Sequence, residues 1–475
     1  MNESFSSSPM AAMALILMVP FTLALFGSMP AYRAAFLAQL IGALVLPVGF
    51  GWAIPGVTTL DKSTIPLLAA FAACAILKPG ELRRLRLDGG TLVFLTALLV
   101  GPFLTAFANA DPRPIVGALL PALKTWDGVA MLRENLFSLV LPFLLGRMLV
   151  SNVNQLEVLM RGMVVAFLIY SIPMLYEVRM SPQLHIMVYG YFPHSFLQQM
   201  RAGGFRPVVF LGHGLPLGIL TSFAVLASVM LWRRGRKIRG LPQWLVTSYL
   251  TGIVVLCKTF SALVYAGAGG AVMYFCKAKT QLRVAVVLAC IVLTYPISRT
   301  FDVFPTTKLM ELAEAASAER AESLAFRFKN EDLLLTHARE RWLLGWGGYG
   351  RDRIFNEDGN DISVTDGLWI ILFGQLGTVG FLGGFGLMIY PIFRAGRALR
   401  NLGTGSERRL LASTAVLVAL NWADSLPNAL SGGVLMIFMT GAFAGVVEAY
   451  QRARVRKTRP EPVRPAPIQS PVPLG

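Results

Sequence analysis

The sequence predicts an all-α, polytopic membrane protein with 12 or 13 transmembrane helices and one large loop on the far side of the membrane. Of its 475 residues, 55% are hydrophobic and only 15% are charged, whereas soluble proteins carry about 25% charged residues. The apolar residues fall in runs of about 20, long enough to cross a hydrocarbon core of roughly 30 Å. These runs do not alternate in polarity, so helices rather than barrel strands satisfy the backbone hydrogen bonds in lipid.

Thirteen apolar segments are predicted to span the membrane, and the count falls to 12 if 10–54 or 242–276 contributes one helix fewer. The first segment follows Met1–Pro9, which has no basic residue, so we interpret it as a true span and not as a signal peptide. The segments lie near 10–29, 34–54, 63–77, 91–109, 133–150, 158–176, 207–231, 242–257, 261–276, 284–299, 367–392, 410–424 and 430–448.

The formal net charge of +17 comes largely from basic residues that cluster between the apolar segments. Such clusters follow the positive-inside pattern of bacterial inner-membrane proteins, so we place all five in the cytoplasm and expect no nucleic-acid partner. The patches are Lys78-Arg83-Arg84-Arg86, Arg233-Arg234-Arg236-Lys237-Arg239, Lys277-Lys279-Arg283, Arg394-Arg397-Arg400-Arg408-Arg409 and Arg452-Arg454-Arg456-Lys457-Arg459-Arg464. Four cysteines lie in or beside apolar segments without a Cys-x-x-Cys pair, which indicates core residues rather than a disulfide framework or a metal site.

This alternation of spans divides the chain into four parts. They are a transmembrane bundle with short loops (1–299), a large periplasmic loop (300–366), C-terminal transmembrane helices (367–448) and a disordered cytoplasmic tail (449–475). Within the loop, 308–341 is rich in Ala, Glu, Leu and Arg, which favours helix, and Arg327 and Glu331 are spaced to pair on one helical face. The tail, RPEPVRPAPIQSPVPLG, is rich in proline and is predicted to be extended or disordered.

Several cations lie on the far side, where the positive-inside rule does not predict them. Arg201 and Arg206 precede the span at 207–231, and Lys258 occupies a tight turn between two apolar helices. A cation at a helix end can simply extend to the membrane interface, but the turn around Lys258 is too short to leave the protein surface. A fixed cation there suits a phosphate or diphosphate, which Lys and Arg hold by charge-assisted hydrogen bonds. Further arginines lie in the large loop among acidic neighbours that could neutralise them: Arg327, Arg339, Arg341, Arg351 and Arg353.

Histidines and glycines mark the same side of the membrane. Histidine can act as a general base near neutral pH, although chance placement in polar loops is an equal alternative. No histidine has the spacing of a metal site, so no metal is expected. The histidines are His185, His194, His213 and His337. Glycine-rich stretches at 203–214 and 345–350 predict a loop that leads into a helix and a loop that wraps closely around a neighbour.

Three segments resemble the O-antigen ligase and Wzy-type polymerase family of bacterial envelope enzymes. They are RPVVFLGHG (206–214), LCKTFSALVYAGAGG (256–270), and the large loop ending in ERWLLGWGGYGR followed by TDGLWIILFGQLGTVGFLGGFG. Together they cover about 200–390. The resemblance implies a fold related to the C-type (GT-C) glycosyltransferases of membranes. It also implies metal-independent glycosyl transfer, without a cofactor, on the periplasmic face of the inner membrane. The implied donor is an oligosaccharide on undecaprenyl diphosphate, held in membrane lipid, and other polysaccharide-export proteins are possible partners.

The resemblance also implies roles for particular residues. Lys258 and Arg206 would hold the diphosphate and stabilise it as leaving group, with Arg327, Arg339 and Arg341 completing the clamp. Arg201 and His213 would support this group. Ligases of the family carry a histidine just before the helix that follows the large loop, whereas this chain has Val364-Thr365-Asp366-Gly367. Asp366 or His337 would therefore serve as the base, and a polymerase is favoured over a ligase.

Two other classes remain open on the sequence alone. A transporter or flippase for lipid-linked glycans would place charges near the middle of the membrane within repeated halves. Here most charged residues fall at span ends. The exceptions are two polar residues near the end of the span 410–424, Asn421 and Asp424. A structural subunit of an envelope complex would use the large loop as a docking surface.

Overall fold

The computed structural model describes residues 8–458 except 55, 57, 202, 317, 430 and 431. Almost all of its regular structure is helical, which confirms the all-α prediction. The helices are α1 (Pro9–Ser28), α2 (Ala31–Val45), α3 (Thr64–Leu77), α4 (Pro79–Leu82), α5 (Gly89–Ala108), α6 (Thr125–Asn135), α7 (Leu141–Leu149), α8 (Val153–Met180), α9 (Leu184–Tyr189), α10 (Gly214–Trp232), α11 (Gln243–Leu256), α12 (Phe260–Val264), α13 (Gly270–Phe275), α14 (Ala278–Thr300), α15 (Thr306–Ala316), α16 (Ala318–Arg339), α17 (Leu368–Asn401), α18 (Gly405–Asp424) and α19 (Gly433–Thr458).

Shorter elements complete the chain within the described ranges. Two π-helical segments, Leu136–Val140 and Tyr265–Gly269, join α6 to α7 and α12 to α13, and Leu197–Gln199 forms one 3-10 turn. Three antiparallel hairpins have two strands each: β1 (Gly51–Ala53) with β2 (Thr59–Asp61), β3 (Arg113–Ile115) with β4 (Ala118–Leu120), and β5 (Met200–Arg201) with β6 (Gly204–Phe205).

Among the described residues, eight helical stretches are long and apolar enough to cross a membrane, which is consistent with a multi-pass membrane protein. They are Pro9–Ser28, Gly89–Ala108, Thr125–Leu149, Val153–Met180, Gly214–Trp232, Ala278–Thr300, Leu368–Asn401 and Gly433–Arg452. Four shorter apolar stretches, Ala31–Val45, Thr64–Leu77, Gln243–Leu256 and Phe260–Phe275, and helix α18 coincide with the other predicted segments.

Several predicted boundaries differ from the structure, among them the following three. The second predicted span continues to 54, but α2 ends at Val45, since Pro47 cannot continue the hydrogen-bond ladder and Gly49 adopts a φ of 73°. The seventh was predicted from 207, whereas α10 begins only at Gly214. The last helix continues to Thr458, so the first part of the predicted disordered tail is helical, and residues 459–475 lie outside the described part.

Because successive long helices run in opposite directions, the bundle has two distinct ends. One, the loop end, carries Lys258 and the long segment 301–367 between α14 and α17. Contacts between distant loops hold this end together, for example from Lys62 to Phe210 O and from Arg341 to Ala108 O. The other, the basic end, carries the first four basic patches and Arg452 of the fifth. Here the buried Arg147 pairs with Asp88 and Glu448 from two other elements.

The long helix α17 is broken where the large loop docks against it. Gly377 has φ 63° and ψ −158°, a conformation reserved for glycine. The break leaves backbone groups free to bond with the loop: Trp346 N donates to Gly374 O (2.8 Å) and Thr378 N donates to Trp342 O (2.8 Å). A side chain on Gly345 would lie 2.5 Å from Gln375 O. The predicted close wrapping of this glycine-rich loop is thus confirmed, and its neighbour is α17.

Candidate functional site

The turn between α11 and α12 brings Lys258 next to the segment that carries Arg206. Lys258 adopts a φ of 50°, and its Nζ lies where a side chain on Gly204 would stand, 2.7 Å from an ideal Cβ. The Arg206 guanidinium donates to the hydroxyl of Thr259 at 2.9 Å, and a Cβ on Gly214 would lie 2.8 Å from Arg206 Nε. The two glycines therefore leave the space in which both cations fit. Arg206 is buried, with 2% of its surface exposed, whereas Lys258 is half-buried.

Side chains from other elements fix the segment that follows Arg206. The buried Glu177 carboxylate at the end of α8 accepts hydrogen bonds from Val208 N and Val209 N, both at 2.7 Å. Lys62 donates to Phe210 O at 2.8 Å. Burial lowers the pKa of Lys62 to about 7. Because Val209 adopts a φ of 49°, these contacts hold the backbone in a conformation that a valine seldom adopts.

Replacing Glu177 with glutamine is expected to loosen this segment. Glutamine keeps the shape but removes the charge, and hydrogen bonds to a charged group contribute about 1.5–3 kcal/mol each. We expect the amides of Val208 and Val209 to exchange at least about tenfold faster with deuterium, since roughly 1.4 kcal/mol is one factor of ten. The control, Glu157→Gln at the basic end, alters a carboxylate that pairs with Arg234 and Arg236. Equal protection of Val208 and Val209 in both variants would show that Glu177 does not hold the segment.

A buried carboxylate joins the Lys258 turn to the large loop. Asp424, at the last turn of α18, is 1% exposed. It accepts hydrogen bonds from Tyr265 Oη (3.1 Å), in the helical stretch that starts after Lys258, and from Asn428 Nδ2 (2.9 Å). Arg327 from α16 in turn donates to Asn428 Oδ1 and to Pro427 O, both at 2.8 Å. Polar contacts therefore run from the helix behind Lys258 to Arg327.

Arg327 also faces Asp366, the first of the two predicted bases. Their side chains approach to 4.0 Å, and each is partly exposed. Both line a cavity of about 40 Å³ with Tyr295, Glu331 and Gly367. Asp366 thus lies beside a cation at an opening in the loop end.

The predicted pair between Arg327 and Glu331 is wrong. Glu331 instead accepts hydrogen bonds from Tyr295, from Trp369 and from the buried Arg299. Burial raises the pKa of Glu331, and the charge of Arg299 opposes that rise. Helical spacing allows a pair, but Arg299 is an alternative partner that only the tertiary fold provides.

His337, the second predicted base, is packed into the large loop. Its ring stacks on Trp346 with centroids 4.4 Å apart, and Nε2 lies 3.0 Å from Arg351 O. Burial lowers the pKa of His337 below its ordinary value, so the ring is mainly neutral at pH 7. Arg341 and Arg113 lie over the Trp346 ring as well. These contacts fix the ring from several sides.

Arg339 and Arg341 contact the ends of other helices. Arg339 donates to Thr300 O (2.8 Å) at the end of α14, and Arg341 donates to Ala108 O (2.7 Å) at the end of α5 and pairs with Asp111. Carbonyls in a last helical turn lack partners within the helix, and cations satisfy them well. Both arginines therefore brace the loop against the bundle.

The two supporting residues lie in the segment around Arg206. His213 caps α10, because its Nδ1 accepts a hydrogen bond from Leu215 N at 3.1 Å, and its ring contacts that of His194. Arg201 lies in β5, where the register pairs it with Gly204. This places its backbone next to the glycine that faces Lys258.

The structure thus groups the predicted residues into two sets. Arg206, Lys258, His213 and the backbone of Arg201 form one, and Arg327 with Asp366 is joined to it through Asp424. His337, Arg339 and Arg341 lie along the later part of α16 and the turn that follows it. Tyr265, Asn428 and Glu177 were not predicted from the sequence, whereas Asp424 was noted there as an acidic residue near the end of a span. In comparisons with known proteins, no family model and no curated protein matches this chain.

Proposed function

We propose that the protein is a glycosyltransferase of the bacterial inner membrane that polymerises oligosaccharide repeat units carried on undecaprenyl diphosphate. The observation that supports this most is the convergence of Arg206 and Lys258 in one group at the loop end, where Arg206 binds the residue next to Lys258. We place the loop end in the periplasm, because the basic patches lie at the other end.

Lys258 and Arg206 contribute differently to the grip on the diphosphate. Lys258 is half-buried and can reach a phosphate oxygen directly. Arg206 is buried behind it and adds positive potential, which acts strongly across a medium of low dielectric constant. Diphosphate gains negative charge as the bond to the sugar breaks, so fixed cations stabilise the transition state more than the bound substrate.

Asp366 supplies the base. It takes the proton of the acceptor hydroxyl, whose oxygen forms a bond with the anomeric carbon of the donor sugar. The bond between that carbon and the diphosphate oxygen breaks, and undecaprenyl diphosphate leaves with the electron pair. Arg327, whose guanidinium lies 4.0 Å from the Asp366 carboxylate, orients that carboxylate.

The experiment combines gene deletion with reconstitution. Deletion in the host should reduce the ladder of surface polysaccharide to one repeat unit, and purified protein in liposomes should extend the lipid-linked repeat unit without an energy source. Full-length polymer that remains on its lipid carrier in the deletion strain would instead identify a ligase. Movement of the lipid-linked unit across the liposome membrane without a new glycosidic bond would contradict the proposal and identify a flippase.

A further inference from the structure

The large loop and the β3–β4 hairpin enclose a groove of about 1060 Å³, which we call the α16 groove. One wall is an exposed face of α16, and the other is formed by the hairpin and by Ile354 and Phe355. The volume lies at the upper limit of about 300–1000 Å³ that is usual for small-molecule sites. The α16 groove therefore has room for a ligand larger than a single sugar.

The helical wall of the groove is polar and regular. Its residues recur at the spacing of one helical face and are all exposed: Lys329, Asp332, Leu333, Thr336 and Glu340. Arg113, on the β3–β4 hairpin, adds a second cation, so two cations and two carboxylates line the groove. A balanced set of donors and acceptors suits hydroxyl groups better than a phosphate, a nucleic acid or an anionic lipid.

Apart from Arg113, the opposite wall is apolar. Ile115, Val116, Ile354 and Phe355 line it, and Val116 is 50% exposed. A glycan has both kinds of surface, since its hydroxyl edges form hydrogen bonds and its C–H faces pack on apolar side chains. The two walls match these two surfaces.

Helix α16 also connects the groove to the proposed reaction centre. Arg327 and Glu331 on the same helix line the small cavity that contains Asp366. At 1.5 Å per residue, Thr336 lies about 14 Å further along the helix than Arg327. A linear glycan whose reacting end lies at Asp366 can therefore follow α16 into the groove.

We infer that the α16 groove binds the distal sugars of the glycan substrate and holds the growing chain between successive transfers. The inference rests on the proposed function. It predicts that filling the groove shortens the polymer, because a chain that is released earlier receives fewer units. The first linkage should still form, since the groove does not include Asp366, Arg206 or Lys258.

The test uses Thr336→Trp and, as a second variant, Leu333→Arg, both at exposed positions in the groove. Ala325→Trp is the matched control, because it introduces the same side chain at an exposed position three turns earlier on nearly the same face. Full-length proteins in liposomes receive the lipid-linked repeat unit from a host deletion strain. We expect both groove variants to form the first linkage within about twofold of the wild-type rate while the modal polymer length falls at least about twofold.

A binding measurement separates failure of this inference from failure of the proposed function. The probe is the repeat-unit oligosaccharide after mild acid has removed its lipid diphosphate. Thr336→Trp should weaken its binding at least about tenfold, whereas Lys258→Ala should not, since the probe lacks the diphosphate. Unchanged polymer length and unchanged binding in folded groove variants would overturn the inference, as would loss of the first linkage along with the ladder. A wild-type protein that forms no linkage at all would overturn the proposed function itself.

Discussion

Lys258→Ala is expected to lower the rate of glycan transfer at least about a hundredfold, and Arg206→Ala is expected to have an effect of similar size. Removal of one preorganised donor from a site that stabilises developing negative charge typically costs about 10²–10³ in rate. In the proposed mechanism, Lys258→Ala removes the direct contact with the diphosphate. Arg206→Ala removes both the positive potential proposed for this residue and its hydrogen bond to Thr259, which is next to Lys258 in the turn.

Matched controls separate this effect from a general loss of charge. Lys279→Ala and Arg236→Ala remove the same residue types from the basic end, where Lys279 is exposed and Arg236 pairs with Glu157. Both controls should retain transfer. Transfer is measured as new linkages per minute in liposomes, with insertion checked by protease protection and folding by thermal unfolding.

Because Arg206 is buried, Arg206→Lys serves as a milder variant that keeps the charge. Wild-type transfer by Lys258→Ala, or by folded Arg206→Ala, would contradict the assigned roles, whereas Arg206→Lys should keep part of the rate because it keeps the charge.

Gly377→Ala is expected to destabilise the protein by about 2–6 kcal/mol. The backbone conformation of Gly377 costs about 1–3 kcal/mol for any other residue. The new methyl group would also lie 2.5 Å from Leu344 N, and overpacking of this kind costs typically about 1–3 kcal/mol. The strain would separate the loop from α17 and release the segment that carries Arg341 and Trp346.

Gly374→Ala is the control for this prediction. It lies about one turn earlier in α17, and its added methyl group would make only an ordinary contact, 3.6 Å from Asp352 Cβ. Its midpoint of thermal unfolding should stay close to that of the wild type, while Gly377→Ala should unfold at a clearly lower temperature in the same detergent. Equal midpoints for the two variants would show that the break at Gly377 is not required for docking.

The membrane-spanning character could be predicted from sequence because length and hydropathy determine it locally. Runs of about 20 apolar residues satisfy the requirement of the hydrocarbon core wherever they occur. The predicted helix boundaries were wrong at 46–54 and at 207–213. Both stretches are apolar, but Pro47 and Gly49 in the first and Pro207 and Gly212 in the second end or delay the helix.

The candidate site was predictable only in part, because partners depend on contacts between distant segments. Lys258 could be predicted as a site residue because a short turn between two apolar helices keeps its charge at the membrane boundary. Arg339 and Arg341 were predicted to join the site because they carry the same charge. In the structure they donate hydrogen bonds to carbonyls at the ends of α14 and α5. Glu177 follows directly after the predicted span 158–176, and nothing in the sequence indicates that three backbone amides, of Leu184, Val208 and Val209, converge on it.

The binding of undecaprenyl diphosphate to the purified protein tests the central claim most directly. If Lys258 and Arg206 hold the diphosphate, the wild type should bind this lipid at least about tenfold more tightly than undecaprenyl monophosphate, since a second phosphate adds charge-assisted hydrogen bonds of about 1.5–3 kcal/mol each. Lys258→Ala should lose that preference, and Lys279→Ala should keep it. Equal affinity of the wild type for the two lipids, or a preference that survives in Lys258→Ala, would contradict it.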